Sequence, residues 1–519
     1  MKTPDPVQQR YLALIAAIER RFAVAEWTSG DAHLWPPARM DLFLDMFRAE
    51  GRDTAPAPPT PVRGAIASLA APFTNVWKSR HDLAHWVAWP GRAYAMILGD
   101  GVSLDHVDGA WHDRYGEPVI AALDRAGLDT ALLQPGDLRR LPWRRPTFPA
   151  NSIAGWGATL AAVTRCPQPS LPDHGDVLAF LRAEGVDAPS LGRARLIRRA
   201  RSIAATASLF QRILRRVRPR LAFTVTHYAG LGHAFALACR RESVLCVDLQ
   251  HCPQDGTHKA YGWDRVPPAG YTTLPGLFWT WREDDAAFIR RWTSTLAAPW
   301  HQSLAGGHTQ LMACRDAEPP DTDDAGRYER NILIALQPIG GYRAVWDALA
   351  KVVEAAPTNW RWWIRRHPSS TPAQDGEYAG LLAPLRANIV IEEAGTLPLP
   401  RLLPRMSALV SLASGAAGEA ALLGIPAFFL SEQARGNFAG LIARGEARLI
   451  DVDDLASAIA GLDRPSPGRA LPAAPPIIDT LRQLDRIARA YAQLCRENRV
   501  LASSEAVDQQ VDRGARIAR

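Results

Sequence analysis

Two segments of the sequence bring together side chains suited to holding and releasing a phosphate. The first is Arg365-Arg366-His367-Pro368-Ser369-Ser370, where two guanidiniums and an imidazole close an apolar run before a proline ends it. Arg366 and His367 suit a nucleotide phosphate through charge and hydrogen bonding. The plainer reading is surface charge beside a strand-ending proline. The second segment is SLASGAAGEAALLGIP, residues 411–426. Small residues at a helix start let a phosphate approach backbone N–H groups where the helix dipole favours negative charge. Ser411, Ser414 and Gly415 are nucleotide-binding candidates on that ground, and Glu419, inside the first turn, is placed for a ribose hydroxyl. Its plainer reading is a tight strand-to-helix turn.

Group transfer also needs a residue that takes a proton. His251 follows Gln250 at the end of an apolar run, and an imidazole titrates near neutral pH. Asp100 precedes Gly101 and is a second candidate base, against its reading as an ordinary Asp-Gly turn. The catalytic candidates are therefore His251, Asp100 and His367. Gln250 and His227, the latter just before the Gly-rich turn Tyr228 to His233, are candidates for the acceptor side. No metal site is expected. Asp451-Val452-Asp453 precedes a helical pattern and reads as an N-cap, and Asp321-Thr322-Asp323 sits in a polar, proline-containing stretch. The six cysteines are scattered without a C-x-x-C pair, which argues against zinc and disulfides and for a reducing compartment.

The elements that must carry these residues alternate. In the C-terminal half, 331–338, 361–368, 388–394, 407–414, 426–430 and 448–450 read as strands, with helices over 344–356, 415–424 and about 433–444 between them. In the N-terminal half, 93–100, 221–228, 243–251 and 274–281 read as strands, and helix 232–241 completes a βαβ unit. Such alternation predicts α/β lobes with parallel, Rossmann-like sheets. Ligands bind those sheets at the carboxyl ends of strands, where the candidate residues fall.

The pairing of His367-Pro368 with a Ser/Gly turn, Glu419 and Leu423-Gly424-Ile425-Pro426 resembles the C-terminal lobe of GT-B fold glycosyltransferases and of the UDP-N-acetylglucosamine 2-epimerase. His-Pro followed by serines is also similar to the nucleotide site of CMP-sugar transferases that move sialic acid or Kdo. Here the serines are split by Leu412 and Ala413, which leaves UDP and GDP open beside CMP. Residues 245–263 and 274–285 resemble segments of capsular and other surface-polysaccharide enzymes, with Cys252 where a glycine is usual. Residues 86–120 look like the accessory N-terminal region of the same group.

The resemblance implies a GT-B-like architecture, two lobes facing a central cleft, without metal or other cofactor. It implies transfer from a nucleotide-sugar donor, a CMP-sugar such as CMP-Kdo ahead of a UDP-sugar, to a bacterial surface glycan or glycolipid of capsular or lipopolysaccharide type. The alternatives are a sugar-nucleotide epimerase or hydrolase on the same fold, or a non-catalytic partner in glycan assembly.

The 519 residues, 47% apolar and 22% charged, predict a globular protein of two or three domains. The expected division is an acceptor-side lobe over 1–316, a linker over 317–330, a nucleotide-sugar lobe over 331–464, and a helix and tail over 465–519. Much of the +7 net charge comes from residues 192–220, a basic stretch that reads as a solvated helix face or as a contact with the inner membrane. No nucleic-acid module accompanies it. With neither a signal peptide nor a run long enough to span a bilayer, the expected location is the cytoplasm. Several of the seventeen tryptophans, such as Trp279, Trp281, Trp360, Trp362 and Trp363, lie in or beside strands and are expected in the core.

Overall fold

The computed structural model describes residues 7–49, 91–107, 109–136, 142–315, 327–337, 341–367, 378, 388–391, 394, 397–463 and 475–517. Pro368 to Ser370, Asp321 to Asp323 and most of the expected linker lie outside these. Short antiparallel ladders join β1 (Thr28–Ser29) to β2 (Ala32–His33) and β4 (Leu104–Val107) to β5 (Ala110–Asp113). The first large sheet holds β3 (Ala95–Leu98), β6 (Thr130–Gln134), β7 (Thr147–Pro149), β8 (Leu221–Thr224), β9 (Leu245–Leu249), β10 (Leu277–Thr280) and β11 (Gln302–Ala305). Its order is β11-β10-β9-β8-β3-β6-β7, and every pair is parallel.

The second sheet holds β12 (Arg330–Ala335), β13 (Trp360–Arg365), β14 (Ile389–Val390), β15 (Ala408–Ser411), β16 (Ala427–Phe429) and β17 (Ala447–Leu449). It too is parallel throughout, in the order β14-β13-β12-β15-β16-β17. Central strands such as β3, β8, β9 and β15 are buried along their whole length, as continuous apolar runs covered on both faces must be. The fold is therefore α/β and GT-B-like, two Rossmann-like lobes. In each sheet the strand order reverses once, between β3 and β8 in the first and between β12 and β15 in the second. Those reversals open the crevices where such sheets take ligands.

The helices that position the site and brace its loops are α1 (Val7–Arg21), α2 (Trp35–Ala49), α3 (Gly116–Arg125), α4 (Arg193–Val217), α5 (Gly230–Glu242), α6 (Ala416–Leu422) and α7 (Ile477–Ile517). Helix α7 follows the second sheet yet packs on the first. Its Asp485 accepts a hydrogen bond from Tyr94 at 3.1 Å and pairs with Arg220 at 2.5 Å. One apolar cluster runs through both lobes, from Ala95 and Val119 to Leu333 and Leu409. Helices α1 and α2 clamp the loop after β9 through a buried ion pair, Arg39 to Glu19 at 3.0 Å, while Arg39 also donates to the carbonyls of Lys259 and Gly262 at 2.8 Å. Removing one partner of such a pair leaves a buried charge, at a cost of about 3–5 kcal/mol.

Three strands of the large sheets, β6, β7 and β11, were not expected from sequence, nor were the short ladders β1–β2 and β4–β5. The expected helix 433–444 is two shorter ones, Gln433–Asn437 and Ala439–Ala443. Asp451 is no side-chain cap: it makes no cap hydrogen bond, and a 3-10 turn, Val452–Asp454, intervenes before the helix. The five tryptophans expected in the core, at 279, 281, 360, 362 and 363, are all buried.

Candidate functional site

At the first reversal, between the ends of β3 and β8, lies a cavity of about 700 Å3. Asp100, Thr226, Tyr228, Gly230, Arg199 and His251 are among its lining residues. Asp100 does form the turn its Asp-Gly sequence suggests: one carboxylate oxygen accepts from the N–H groups of Val102 and Ser103, at 2.8 and 2.7 Å. The other accepts from the Ser103 hydroxyl at 2.7 Å. The turn thus fixes the carboxylate at the cavity wall. Gly232, in the first turn of α5, has to be glycine, because a Cβ there would stand 2.4 Å from the Thr226 carbonyl oxygen. This close approach draws the start of α5 onto the end of β8.

His251 lines the same cavity, with Nε2 2.8 Å from the Tyr228 hydroxyl. Burial pulls its pKa down, but Cys252 and the carboxylates of Asp248 and Asp100 pull it up further, to about 9. The imidazole therefore keeps its proton at neutral pH, which corrects the expectation of a neutral base. Two acceptor-side expectations also change. His227 is fully buried, its Nδ1 3.1 Å from Asp248 Oδ2, with Tyr261 donating to the same carboxylate at 3.0 Å. Gln250 is buried as well, and its amide donates to the Cys252 carbonyl and to Asp285 Oδ2, both at 2.9 Å, and accepts from the Trp281 N–H. Both residues fasten strand ends to each other and present nothing to an acceptor.

At the second reversal the Ser/Gly turn is braced from beneath. Gln337, after β12, bonds Ala413 twice, donating to its carbonyl at 2.7 Å and accepting from its N–H at 2.6 Å. Ser411 is fully buried and its hydroxyl accepts from the Ser414 N–H at 3.2 Å, so it shapes the turn and does not itself meet a ligand. Ser414 is half-buried, its hydroxyl accepting from the Ala416 N–H at 3.3 Å, and Gly415 is exposed with open space above it. Gly418 faces the Trp281 ring of the other lobe, where a Cβ would make an ordinary contact at 3.4 Å. Arg366 is exposed and His367 half-buried. Arg365 points elsewhere: it donates to the carbonyls of Ala394, at 2.7 Å, and Leu397.

The lobes meet at a polar cluster that sequence reasoning did not identify. Arg114 pairs with Asp105 at 2.8 Å, and Gln310 donates to the same carboxylate at 2.8 Å. Glu419 lies nearly buried across from them. Desolvation raises its pKa to about 7, against the pull of Arg114 and Arg365. His367 is pushed below its usual range by burial and by Arg114 and Arg365. His367 and Glu419, paired on sequence, thus sit in the field of the same two guanidiniums. His308 completes the cluster. Its Nδ1 accepts from the Leu311 N–H at 3.3 Å, which leaves the ring proton on Nε2, 3.8 Å from Glu419 Oε2. Burial holds His308 down at about 3, hence neutral, and the Trp281 ring lies 4.4 Å from it, tilted by 34°. The facing atoms of His308 and Glu419 are buried and have no hydrogen-bond partner among the described residues, an arrangement that suits a ligand hydroxyl or a water. The signal in the sequence was Gly306-Gly307-His308, a glycine pair at a strand's carboxyl end.

Tyr115 links the two reversals. It follows Arg114, donates its hydroxyl to the His251 carbonyl at 3.1 Å, and stands 6.0 Å from the His308 ring. Among the described residues, no group of three or more His, Cys, Asp or Glu side chains is placed to hold a metal ion, and no helix is long and apolar enough to cross a membrane.

No protein-family model matches the chain, and no curated protein matches it. Among solved structures, it is similar to the UDP-GlcNAc 2-epimerase from Methanocaldococcus jannaschii, at 11% identity and a TM-score of 0.45, over 75% of this chain and 99% of that one. It is similar to the glycotransferase of kitacinnamycin at 13% identity and a TM-score of 0.41, over 80% and 99% of the two chains. For the glycosyltransferase SnogD from Streptomyces nogalater the values are 15% and 0.39, over 79% and 99%. Likenesses this loose carry no argument about chemistry, and the GT-B-like fold rests on the two parallel sheets themselves.

Proposed function

We propose that the protein is a glycosyltransferase, with a nucleotide-sugar on the second lobe and an acceptor hydroxyl in the first-lobe cavity. The observation that carries this reading is the meeting of the two reversals. Glu419 and His367 of one lobe share the field of Arg114 from the other, and the next residue, Tyr115, bonds the backbone of His251 at the cavity wall. Binding at both carboxyl edges would therefore bring donor and acceptor together.

In this reading the acceptor oxygen attacks the anomeric carbon, the bond from that carbon to the nucleotide phosphate breaks, and the acceptor proton passes to Asp100. Asp100 is preferred over His251 as base because His251 already holds its proton. His367, Arg366 and the Ser414-Gly415 turn take the charge of the departing phosphate. Glu419 and His308 hold a ribose hydroxyl between them. The sequence resemblance favours a CMP-sugar such as CMP-Kdo over a UDP-sugar, and a bacterial surface glycan or glycolipid as acceptor, reached at the cytoplasmic face of the membrane.

The test is thermal-shift binding of CMP, UDP, GDP, CDP and dTDP at matched concentrations. One nucleotide should raise the melting temperature, and His367→Ala should abolish that rise. No shift with any of the five, or a shift indifferent to His367→Ala, overturns the reading. One observation favours a second reading, a sugar-nucleotide epimerase or hydrolase: Asp105 and Glu419 place two carboxylates at the lobe interface. A new sugar-nucleotide or a free sugar, formed from the donor without any acceptor, would select it.

A further inference from the structure

The first-lobe cavity does not end at the strand tips. Arg199 and Ser202 belong to its wall and to the wall of an adjoining groove of about 330 Å3. Arg195, Arg199, Ser202 and Thr206 are spaced four, three and four residues apart on α4, so one stripe of that helix lines both spaces. The stripe runs from an exposed basic end to Thr206, buried in the first cavity.

The groove contains Arg48, Arg195, Arg198 and Arg199 against Asp41 and Asp45. The acids are already engaged. Asp41 pairs with Arg199 at 3.3 Å, and Asp45 accepts from the Ser190 N–H at 2.8 Å with Arg48 3.9 Å away. Arg195 and Arg198 have no ion pair among the described residues, and the amino end of α4 adds a positive field beside them. Leu44 and Val102, both exposed, border the same spaces.

The other end of α4 makes a useful contrast. A larger basic groove of about 950 Å3 there has five arginines in its wall, Arg215, Arg218, Arg220, Arg489 and Arg496. Arg215 is paired with Glu242 at 2.8 Å, and Arg220 and Arg489 share Asp485, each at 2.5 Å. It lies at the carboxyl ends of α4 and α5, where cations answer the helix dipole. Ion pairing within the fold accounts for Arg215, Arg220 and Arg489. It does not account for Arg195 and Arg198.

We propose that the acceptor carries a phosphate or comparably charged anion, bound by Arg195 and Arg198 away from its reacting hydroxyl. This rests on reading the first cavity as the acceptor site. At 1.5 Å of rise per helical residue, the two arginines lie roughly 12–17 Å along α4 from Thr206. That separation sets the span between the anion and the sugar end of the acceptor.

The test titrates the full chain calorimetrically with inorganic pyrophosphate. Arg195→Ala/Arg198→Ala should weaken binding about tenfold or more. These side chains are exposed, so the variant should fold, and its nucleotide-induced thermal shift should be unchanged. Arg218→Ala/Arg496→Ala, in the other groove, should leave pyrophosphate affinity within about twofold. Equal losses in both variants, or no loss in the first, overturn the proposal. Flotation with phosphatidylglycerol vesicles, against phosphatidylcholine, separates the sources of the anion. Retention that depends on Arg195 and Arg198 assigns it to a lipid headgroup, and pyrophosphate binding without retention assigns it to a soluble phosphorylated glycan. Binding of neither probe overturns the proposal. Arginine-dependent pyrophosphate binding with no nucleotide shift at all would instead remove the transferase reading and leave the anion groove standing.

Discussion

The two strand reversals share a topology but are built in opposite ways. The first is roomy: a cavity of about 700 Å3 with carboxylate, imidazole and guanidinium groups on its wall. The second is braced: Gln337 pins Ala413 from both sides, Ser411 is consumed inside the turn, and only Ser414 and Gly415 reach the surface. A braced turn holds its backbone N–H groups in one arrangement and suits a small group of fixed shape, such as a nucleotide phosphate. A roomy cavity ringed by side chains can admit a ligand of less regular form. In the proposed transferase reading, donor recognition would be a matter of backbone geometry, and acceptor recognition a matter of side-chain charge.

The sharpest way to break the contrast is at Gly232. An added Cβ would meet backbone atoms, the carbonyl oxygens of Thr226 and His227 at 2.4 and 2.5 Å, and backbone cannot swing aside as a flexible side chain would. Gly232→Ala should cost about 3 kcal/mol, seen as a lowered midpoint in urea unfolding. An unchanged midpoint would mean that the start of α5 is not held as tightly as the geometry says. The matching change in the second lobe is Gln337→Ala, which leaves the buried Ala413 N–H and carbonyl without partners. Stability should fall by about 2 kcal/mol, and the nucleotide-induced thermal shift should shrink with it. A full shift from a destabilised protein would show that the brace serves folding alone.

How much of this was legible in the sequence follows the same division. The second sheet could be read almost strand by strand, because its central strands are unbroken apolar runs separated by clear helical periods. In the first sheet β6, β7 and β11 were missed. TFP ends in proline and is an edge strand, QSLA at the opposite edge is only half-buried, and TALLQ is a five-residue run between two turns, too short to separate from helix by period. The placing of His367 after a strand and of Glu419 in the first turn of a helix was legible because strand end and helix start announce themselves locally. Asp105, Arg114, His308 and Arg199 were not, since they act only where separate elements converge. The opposite error befell His227 and Gln250. Both stand at strand ends as a ligand-binding residue would, but their side chains are turned inward, to buried Asp248 and half-buried Asp285.

The smallest expected effect separates the lobes by pH. Each holds one buried carboxyl raised to about 7, chiefly by desolvation: Asp113 in the first, where the charge of Asp100 adds to the rise, and Glu419 in the second. A carboxyl raised in the folded state binds its proton more tightly there than in the unfolded chain. Its stabilising contribution is full below the unfolded value, near 4, and is lost as pH rises through about 7. These two carboxyls therefore contribute a loss of stability as pH rises from about 5 to about 8, set against the opposite slope of buried histidines held neutral, such as His233, His301 and His308. Glu419→Gln should remove part of that slope, on the order of 1–3 kcal/mol, and Asp113→Asn another part, as read from unfolding midpoints across the range. The two parts should add, because the groups answer to different neighbours, Asp100 and Gln134 for Asp113, Arg114, Asp105 and Arg365 for Glu419. If the Glu419→Gln curve ran parallel to that of the wild type, Glu419 would be ionised in the folded protein. The facing atoms of His308 and Glu419 would then be an anion beside a ring proton, already satisfied, and no longer a place held open for a ligand hydroxyl.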